Sequence, residues 1–223
     1  MAASETCLFL PGFAASPRVY ASVLPSGWEA PRPPTLRATH GSLAVLRDWV
    51  VDELRRRPGP AVVAGHSMGA ALAVLAAVAV PDRIARLLLV SPAGLPIRKP
   101  VRKSVADLFR QVLAETYALE DIARSSRDLL SAPRATTRLI RSLRALDLTP
   151  QMRRVRREGI PASVVACTTD TLVTPEACRR TANLLGGDYR EVGSAGGHVW
   201  MLSRPEVLAS LLTESAQVGG ARP

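Results

Sequence analysis

The sequence predicts an α/β protein, with a mostly parallel sheet of about six strands, helices on both faces and a helical insertion after the fourth strand. Three observations carry this expectation. Short apolar runs alternate with helix-patterned segments, which implies parallel strands joined by right-handed crossovers. Residues 61–80, AVVAGHSMGAALAVLAAVAV, join a strand-like run to eleven small and apolar residues with no turn signal. Between residues 97 and 157 the alternation stops and only helical spacing remains. A chain of 223 residues is long enough to bury one sizeable core of this kind.

The elements follow in order. Residues 6–10 (TCLFL) form a short apolar strand stopped by Pro11-Gly12. Residues 17–24 suggest a brief helical turn, 25–34 a turn-rich loop, and 35–39 a weakly marked second strand. Ser42 is placed to cap a helix running to about Arg57, with Leu43, Leu46, Trp49, Val50 and Leu54 on one face and Pro58-Gly59-Pro60 ending it. The strand and helix of residues 61–80 come next, and 84–90 is a strand that is apolar except for Arg86. In the insertion, Val101, Val105, Leu108, Val112 and Leu113 have helical spacing, as do Leu139, Leu143 and Leu146 beyond Pro133. Thr149-Pro150 reads as N-cap and first-turn proline of a further helix. Strands are expected at 162–166 and 188–192, with helices at about 175–185 and 199–212 and a frayed tail from Thr213.

The pentapeptide Gly65-His66-Ser67-Met68-Gly69 matters because of what flanks it. G-x-S-x-G alone is weak, with ~0.08 chance matches in a chain of this glycine and serine content. Between a strand and a helix it becomes a sharp turn that holds a serine hydroxyl above the sheet, with the helix N-terminus aimed where negative charge develops. Glycines two positions either side of the serine keep Cβ atoms out of a crowded turn.

With these residues in place, the chain from about Cys7 to Ser210 resembles the α/β-hydrolase superfamily, as a small serine hydrolase with a helical cap. The resemblance implies a core of residues 1–96 and 158–223 and a cap of residues 97–157. The fuller form of the family has eight strands, so the chain is expected to start at the third. It also implies a Ser-Asp-His triad. Ser67 is the nucleophile. A serine hydroxyl needs an imidazole to take its proton, and the chain has three histidines. His40 precedes the elbow, and the side chain of His66 points away from Ser67, as a packing histidine would. His198, in Gly196-Gly197-His198, lies after Ser67 in the chain order this fold uses, so it is the expected base.

The acid loop of the family resembles residues 167–175, CTTDTLVTP, which makes Asp170 the expected acid and Asp188 the runner-up. One departure is Cys167 where a glycine is usual. The oxyanion hole is expected from the backbone N–H groups of Met68 and Phe13, because Pro11-Gly12-Phe13 stands where the family has His-Gly-x. Proline in place of that histidine leaves the donor but means that the loop is supported from elsewhere. Trp200 and Met201, next to the base, either line an acyl pocket or pack against the sheet.

The expected activity is hydrolysis of a carboxylic ester or thioester through an acyl-enzyme. The alternatives are a thioesterase or acyl transferase of a biosynthetic pathway, a lyase or cyclase reusing the same site, and a binding protein with a vestigial site. No metal or cofactor is called for, and a serine at the elbow argues against the aspartate-nucleophile relatives.

The net charge of +10 raises nucleic-acid binding, but the nine aromatic residues are not interleaved with the basic clusters in any recognisable binding motif. Within 97–157, fifteen Lys and Arg face six Asp and Glu, a net +9. That stretch is either a solvated outer face or a surface that steers an anionic substrate, such as a coenzyme A thioester or an acidic carrier protein. The N-terminus lacks a basic n-region and a full apolar h-region, no run is suited to span a membrane, and Cys7, Cys167 and Cys178 show no metal spacing; a cytoplasmic protein with reduced thiols is expected.

Overall fold

The computed structural model describes residues 6–13, 15, 17–21, 23–97 and 128–219. Six parallel strands form one sheet: β1 (Thr6–Leu10), β2 (Trp28–Glu29), β3 (Ala61–His66), β4 (Ile84–Val90), β5 (Ala162–Cys167) and β6 (Asp188–Val192), in the order β2-β1-β3-β4-β5-β6. The chain moves one way from β1 to β2 and the other way from β3 onward. Carboxyl ends of strands at such a reversal open a crevice, and the loops after β1 and β3 border it.

Strand β3 is buried along its whole length, as a central parallel strand with both faces covered requires. One face packs on α3 (Leu43–Arg55), α4 (Met68–Ala79) and two helices between β4 and β6, α6 (Thr149–Arg157) and α7 (Pro175–Leu185). The other face packs on α1 (Pro17–Ala21), α8 (Trp200–Ser203) and α9 (Pro205–Gly219). The alternation along β3 sorts the two cores: Ala61 and Val63 face the first, Val62 and Ala64 the second.

Between β4 and β5 the described residues include α5 (Pro133–Ala145) and α6. Helix α5 buries only Leu139, while α6 buries Met152 and Val155 in the main core. The helical expectation for Val101, Val105, Leu108, Val112 and Leu113 lies outside the described residues.

Three local expectations are corrected. Residues 35–39 are not a strand. They form helix α2 (Leu36–Thr39), capped by the Thr35 hydroxyl accepting from Ala38 N–H at 3.2 Å. The second strand is instead Trp28–Glu29, inside the expected loop; two residues are too short to carry a period. The last helix is broken at Arg204-Pro205, because a proline cannot continue the hydrogen-bond ladder but suits the first turn of a new helix. Helix α9 then runs to Gly219, with Ser215 buried, where the sequence suggested a frayed tail.

The elbow is a tight junction. A Cβ on Gly69 would sit 2.0 Å from the Leu10 carbonyl oxygen and 2.7 Å from that of Pro11. Both atoms are backbone, so neither rotates away. Gly69→Ala is expected to cost roughly 3 kcal/mol and to lower Tm by about 6–12 °C. Calorimetry checks this, and a Tm within about 2 °C of wild type would show that the β1 loop yields freely.

Candidate active site

Ser67 follows β3 in a backbone conformation that L residues seldom adopt, with φ 52° and ψ −112°. Its neighbours hold it there. Ser67 N–H donates to Val90 O at 3.0 Å, and Ser67 O accepts from Ala71 N–H at 3.2 Å and Ala93 N–H at 3.1 Å. The adjacent strand, the loop after it and the helix thus fix one strained residue.

The hydroxyl so presented donates to His198 Nε2 at 3.0 Å, and His198 Nδ1–H donates to Asp170 Oδ2 at 2.8 Å. His198 and Asp170 are buried and Ser67 is half-buried. The other carboxylate oxygen, Asp170 Oδ1, accepts from Leu172 N–H at 2.8 Å and Val173 N–H at 2.9 Å. Burial alone would raise the Asp170 pKa. The His198 ring beside it and the two backbone donors more than offset that, so the carboxyl sits below its ordinary value.

The loops after β5 and β6 are tied to each other. Thr169 Oγ1 donates to Ser194 O at 2.5 Å, and Cys167 Sγ donates to the same carbonyl at 3.4 Å. The cysteine standing where the family has glycine thus joins the acid loop to the loop that leads to His198. Asp188, the other candidate acid, is exposed at the opening residue of β6, the far end of the strand from these loops. His40 is exposed at the end of α2.

The two expected oxyanion donors flank the elbow. Met68 is the first residue of α4, so its N–H has no carbonyl partner within the helix. Phe13 follows the β1 loop that Gly69 touches, and its ring packs on the same core as Met68. Trp200 and Met201 are fully buried against the sheet, which decides between their two readings.

His66, one residue before Ser67, was expected as a packing residue and is buried on the opposite face. What sequence reasoning missed is its partners: Tyr20 O–H donates to His66 Nδ1 at 3.0 Å, and His66 Nε2–H donates to His198 O at 2.9 Å. No spacing rule links residues 46 and 132 positions apart.

All three cysteines are buried and none is in a disulfide. Among the described residues, no group of three or more His, Cys, Asp or Glu side chains is placed to hold a metal ion, and no helix is long and apolar enough to cross a membrane.

Residues 7–211 match the model of the alpha/beta hydrolase family. Over 173 residues the chain is 27% identical to a Mycobacterium phage D29 protein that carries the name non-heme haloperoxidase; the match takes in 68% of this chain and 62% of that one. The chain therefore spans less than two thirds of that relative's length. Among solved structures, the non-heme bromoperoxidase-type protein BpoC of Mycobacterium tuberculosis H37Rv superposes with a TM-score of 0.71 at 20% identity, over 98% of this chain and 94% of that one. The RedJ thioesterase of the prodiginine pathway of Streptomyces coelicolor gives 0.69 at 21% identity, over 96% and 86%. At these identities the structures share a fold, and the family match extends almost from end to end: the chain belongs to the alpha/beta hydrolase family.

Proposed function

We propose that the protein is a serine hydrolase that cleaves a carboxylic ester or thioester through an acyl-enzyme. The observation that carries this reading is the continuous line from Asp170 through His198 to Ser67, 2.8 and 3.0 Å long. Ser67 Oγ attacks the acyl carbon as its proton passes to His198 Nε2. The Met68 and Phe13 N–H groups hold the oxyanion, each such donor contributing roughly 3–4 kcal/mol to the transition state. His198 returns the proton to the leaving alcohol or thiol. Water then repeats the cycle and releases the acid. Asp170 keeps His198 in the tautomer whose Nε2 lone pair faces Ser67.

A second reading narrows the acyl donor to a thioester on coenzyme A or an acidic carrier protein, hydrolysed or transferred. It is favoured by the net +9 of residues 97–157. In the described part of that stretch, Arg134, Arg138, Arg141, Arg153, Arg154, Arg156 and Arg157 are all exposed. In both readings the part of residues 97–157 that precedes α6 acts as the cap that selects the substrate, since α6 itself packs into the main core.

A fluorophosphonate should label Ser67, and a panel of neutral p-nitrophenyl esters and acyl-coenzyme A thioesters should show turnover. No adduct and no turnover would sink the hydrolase reading. Exposed charges are screened beyond about 8 Å at physiological ionic strength. Steering therefore predicts that kcat/KM for the thioester falls several-fold from low to high salt while that for the neutral ester holds. Parallel responses would leave the basic stretch as ordinary solvated surface.

A further inference from the structure

The side of the elbow away from the nucleophile carries a second hydrogen-bonded line that the chemistry above does not use. It begins at the buried Tyr20 phenol, where the nearby Gly12 backbone opposes the larger effect of burial, which raises the phenol pKa. The Gly12 carbonyl is taken by Ala15 N–H at 3.2 Å. Tyr20 O–H donates to His66 Nδ1 at 3.0 Å, and His66 Nε2–H donates to His198 O at 2.9 Å.

One end of this line sets its direction. The His198 carbonyl can only accept, so His66 carries its proton on Nε2 and its Nδ1 is left to accept from Tyr20. The line runs from Tyr20, through the residue before Ser67, to the backbone of His198, and its middle member lies against Gly12 of the loop that carries Phe13. Each part is rigid. Tyr20 is buried with its ring 4.6 Å from that of Phe9, and the His66 ring lies 4.8 Å from that of His198. A Cβ at Gly12 would lie 2.7 Å from His66 Nδ1, so glycine there makes room for the contact.

We infer that His66 is a positioning residue: held in one tautomer by the His198 carbonyl and braced at its other nitrogen by Tyr20, it ties the backbone of the base to the nucleophile elbow and to the oxyanion loop. The inference rests on the reading of Ser67 and His198 as nucleophile and base. It supplies the support that the oxyanion loop lacks with Pro11 in place of the family's histidine. It also explains why nucleophile and base, 131 positions apart in sequence, keep their distance when the loop bearing His198 contains Gly196 and Gly197. Burial, and then the His198 ring alongside, push the His66 pKa down to about 3, so His66 stays neutral and keeps this pattern across the working pH range.

The test compares wild type with His66→Leu, His66→Gln and Tyr20→Phe. Leucine removes the donor, whereas the glutamine amide reaches the His66 Nε2 position and still donates to the His198 carbonyl. Misplacing a reacting group by 1 Å costs on the order of 10²-fold. On a p-nitrophenyl ester, His66→Leu is expected to lose about 30- to 100-fold in kcat with KM within about twofold, and His66→Gln to recover at least about tenfold of that loss. Losses of equal size in both, or wild-type kcat in the leucine variant, would overturn the inference.

Nitrogen-15 NMR of the imidazoles reads the tie without substrate. In wild type, His66 should show a single Nε2–H form that does not titrate between pH 5 and 8. In Tyr20→Phe, a phenyl ring fills the same space, so the fold is kept; the His198 carbonyl still holds the Nε2–H form, but His66 Nδ1 loses its donor, so its nitrogen-15 resonance shifts and kcat falls about three- to tenfold. A titrating His66 in wild type, or an unchanged Nδ1 resonance and rate in Tyr20→Phe, would refute the inference even if His66→Leu failed to fold. If wild type hydrolysed nothing and took no fluorophosphonate, the proposed function would fall, and the NMR result would still decide the tie.

Discussion

Ser67→Ala is expected to abolish ester turnover, with kcat falling roughly 10⁴- to 10⁶-fold while the fold survives. The substitution removes one oxygen, and that oxygen is the atom His198 Nε2 contacts at 3.0 Å. Stability should barely change, for a physical reason. The left-handed φ of Ser67 costs any residue with a Cβ about the same, and the three hydrogen bonds that hold the conformation are all made by its backbone. Alanine therefore inherits both the strain and its compensation. The check is steady-state hydrolysis of a p-nitrophenyl ester alongside calorimetry. A variant with an unchanged Tm and more than about a tenth of the wild-type rate would remove covalent catalysis through Ser67.

The elbow was legible in the sequence because its signal is local. A buried strand, a sharp turn and an apolar helix follow one another within twenty residues, and each part limits the reading of the next. His198 was legible by a different route, since only three histidines exist and the order along the chain leaves one of them, and Asp170 through the resemblance of residues 167–175 to the family's acid loop. The structure brings those two residues and Ser67 into one hydrogen-bonded line. What stayed hidden is short or non-local. Trp28–Glu29 becomes a strand only by lying beside Cys7 and Leu8. Residues 35–39 hold Thr and Leu, as strands do, but the Thr35 hydroxyl serves better as a helix cap. Pro205 was overrun by the apolar spacing on either side of it.

The same contrast holds within the site. Cys167 read as a departure from the family pattern, and only the fold shows its thiol reaching Ser194 O on the neighbouring loop. His66 read as packing because the side chain at that elbow position points away from the serine. It does point away, and that direction is what lets it reach the back of the loop that carries His198. A residue's role in holding a site together depends on what the fold places behind it, and no spacing within the chain encodes that.

Asp170→Asn is expected to lower kcat roughly 10³- to 10⁴-fold with little change in KM, and the geometry says how. Two backbone N–H groups, from Leu172 and Val173, point at Oδ1. They pin the amide oxygen of an asparagine at that position, which leaves its NH₂ facing His198 Nδ1. Two donors cannot meet there, so Nδ1 gives up its proton and the ring carries it on Nε2 instead. An Nε2–H cannot accept a proton from Ser67, and the base is disabled without being moved.

The substitution also removes a charge that the fold favours. The Asp170 pKa is depressed in the folded state, so its contribution to stability is present at neutral pH and lost as pH falls through the folded value. The Tm of Asp170→Asn should accordingly fall less than that of wild type on acidification. Rates on a p-nitrophenyl ester and Tm against pH check both expectations, with Asp188→Asn as the companion variant. Asp188 is exposed at the far end of β6, so its loss should leave the rate within about twofold of wild type. A full rate in Asp170→Asn together with a collapsed rate in Asp188→Asn would place the acid at the other end of the strand.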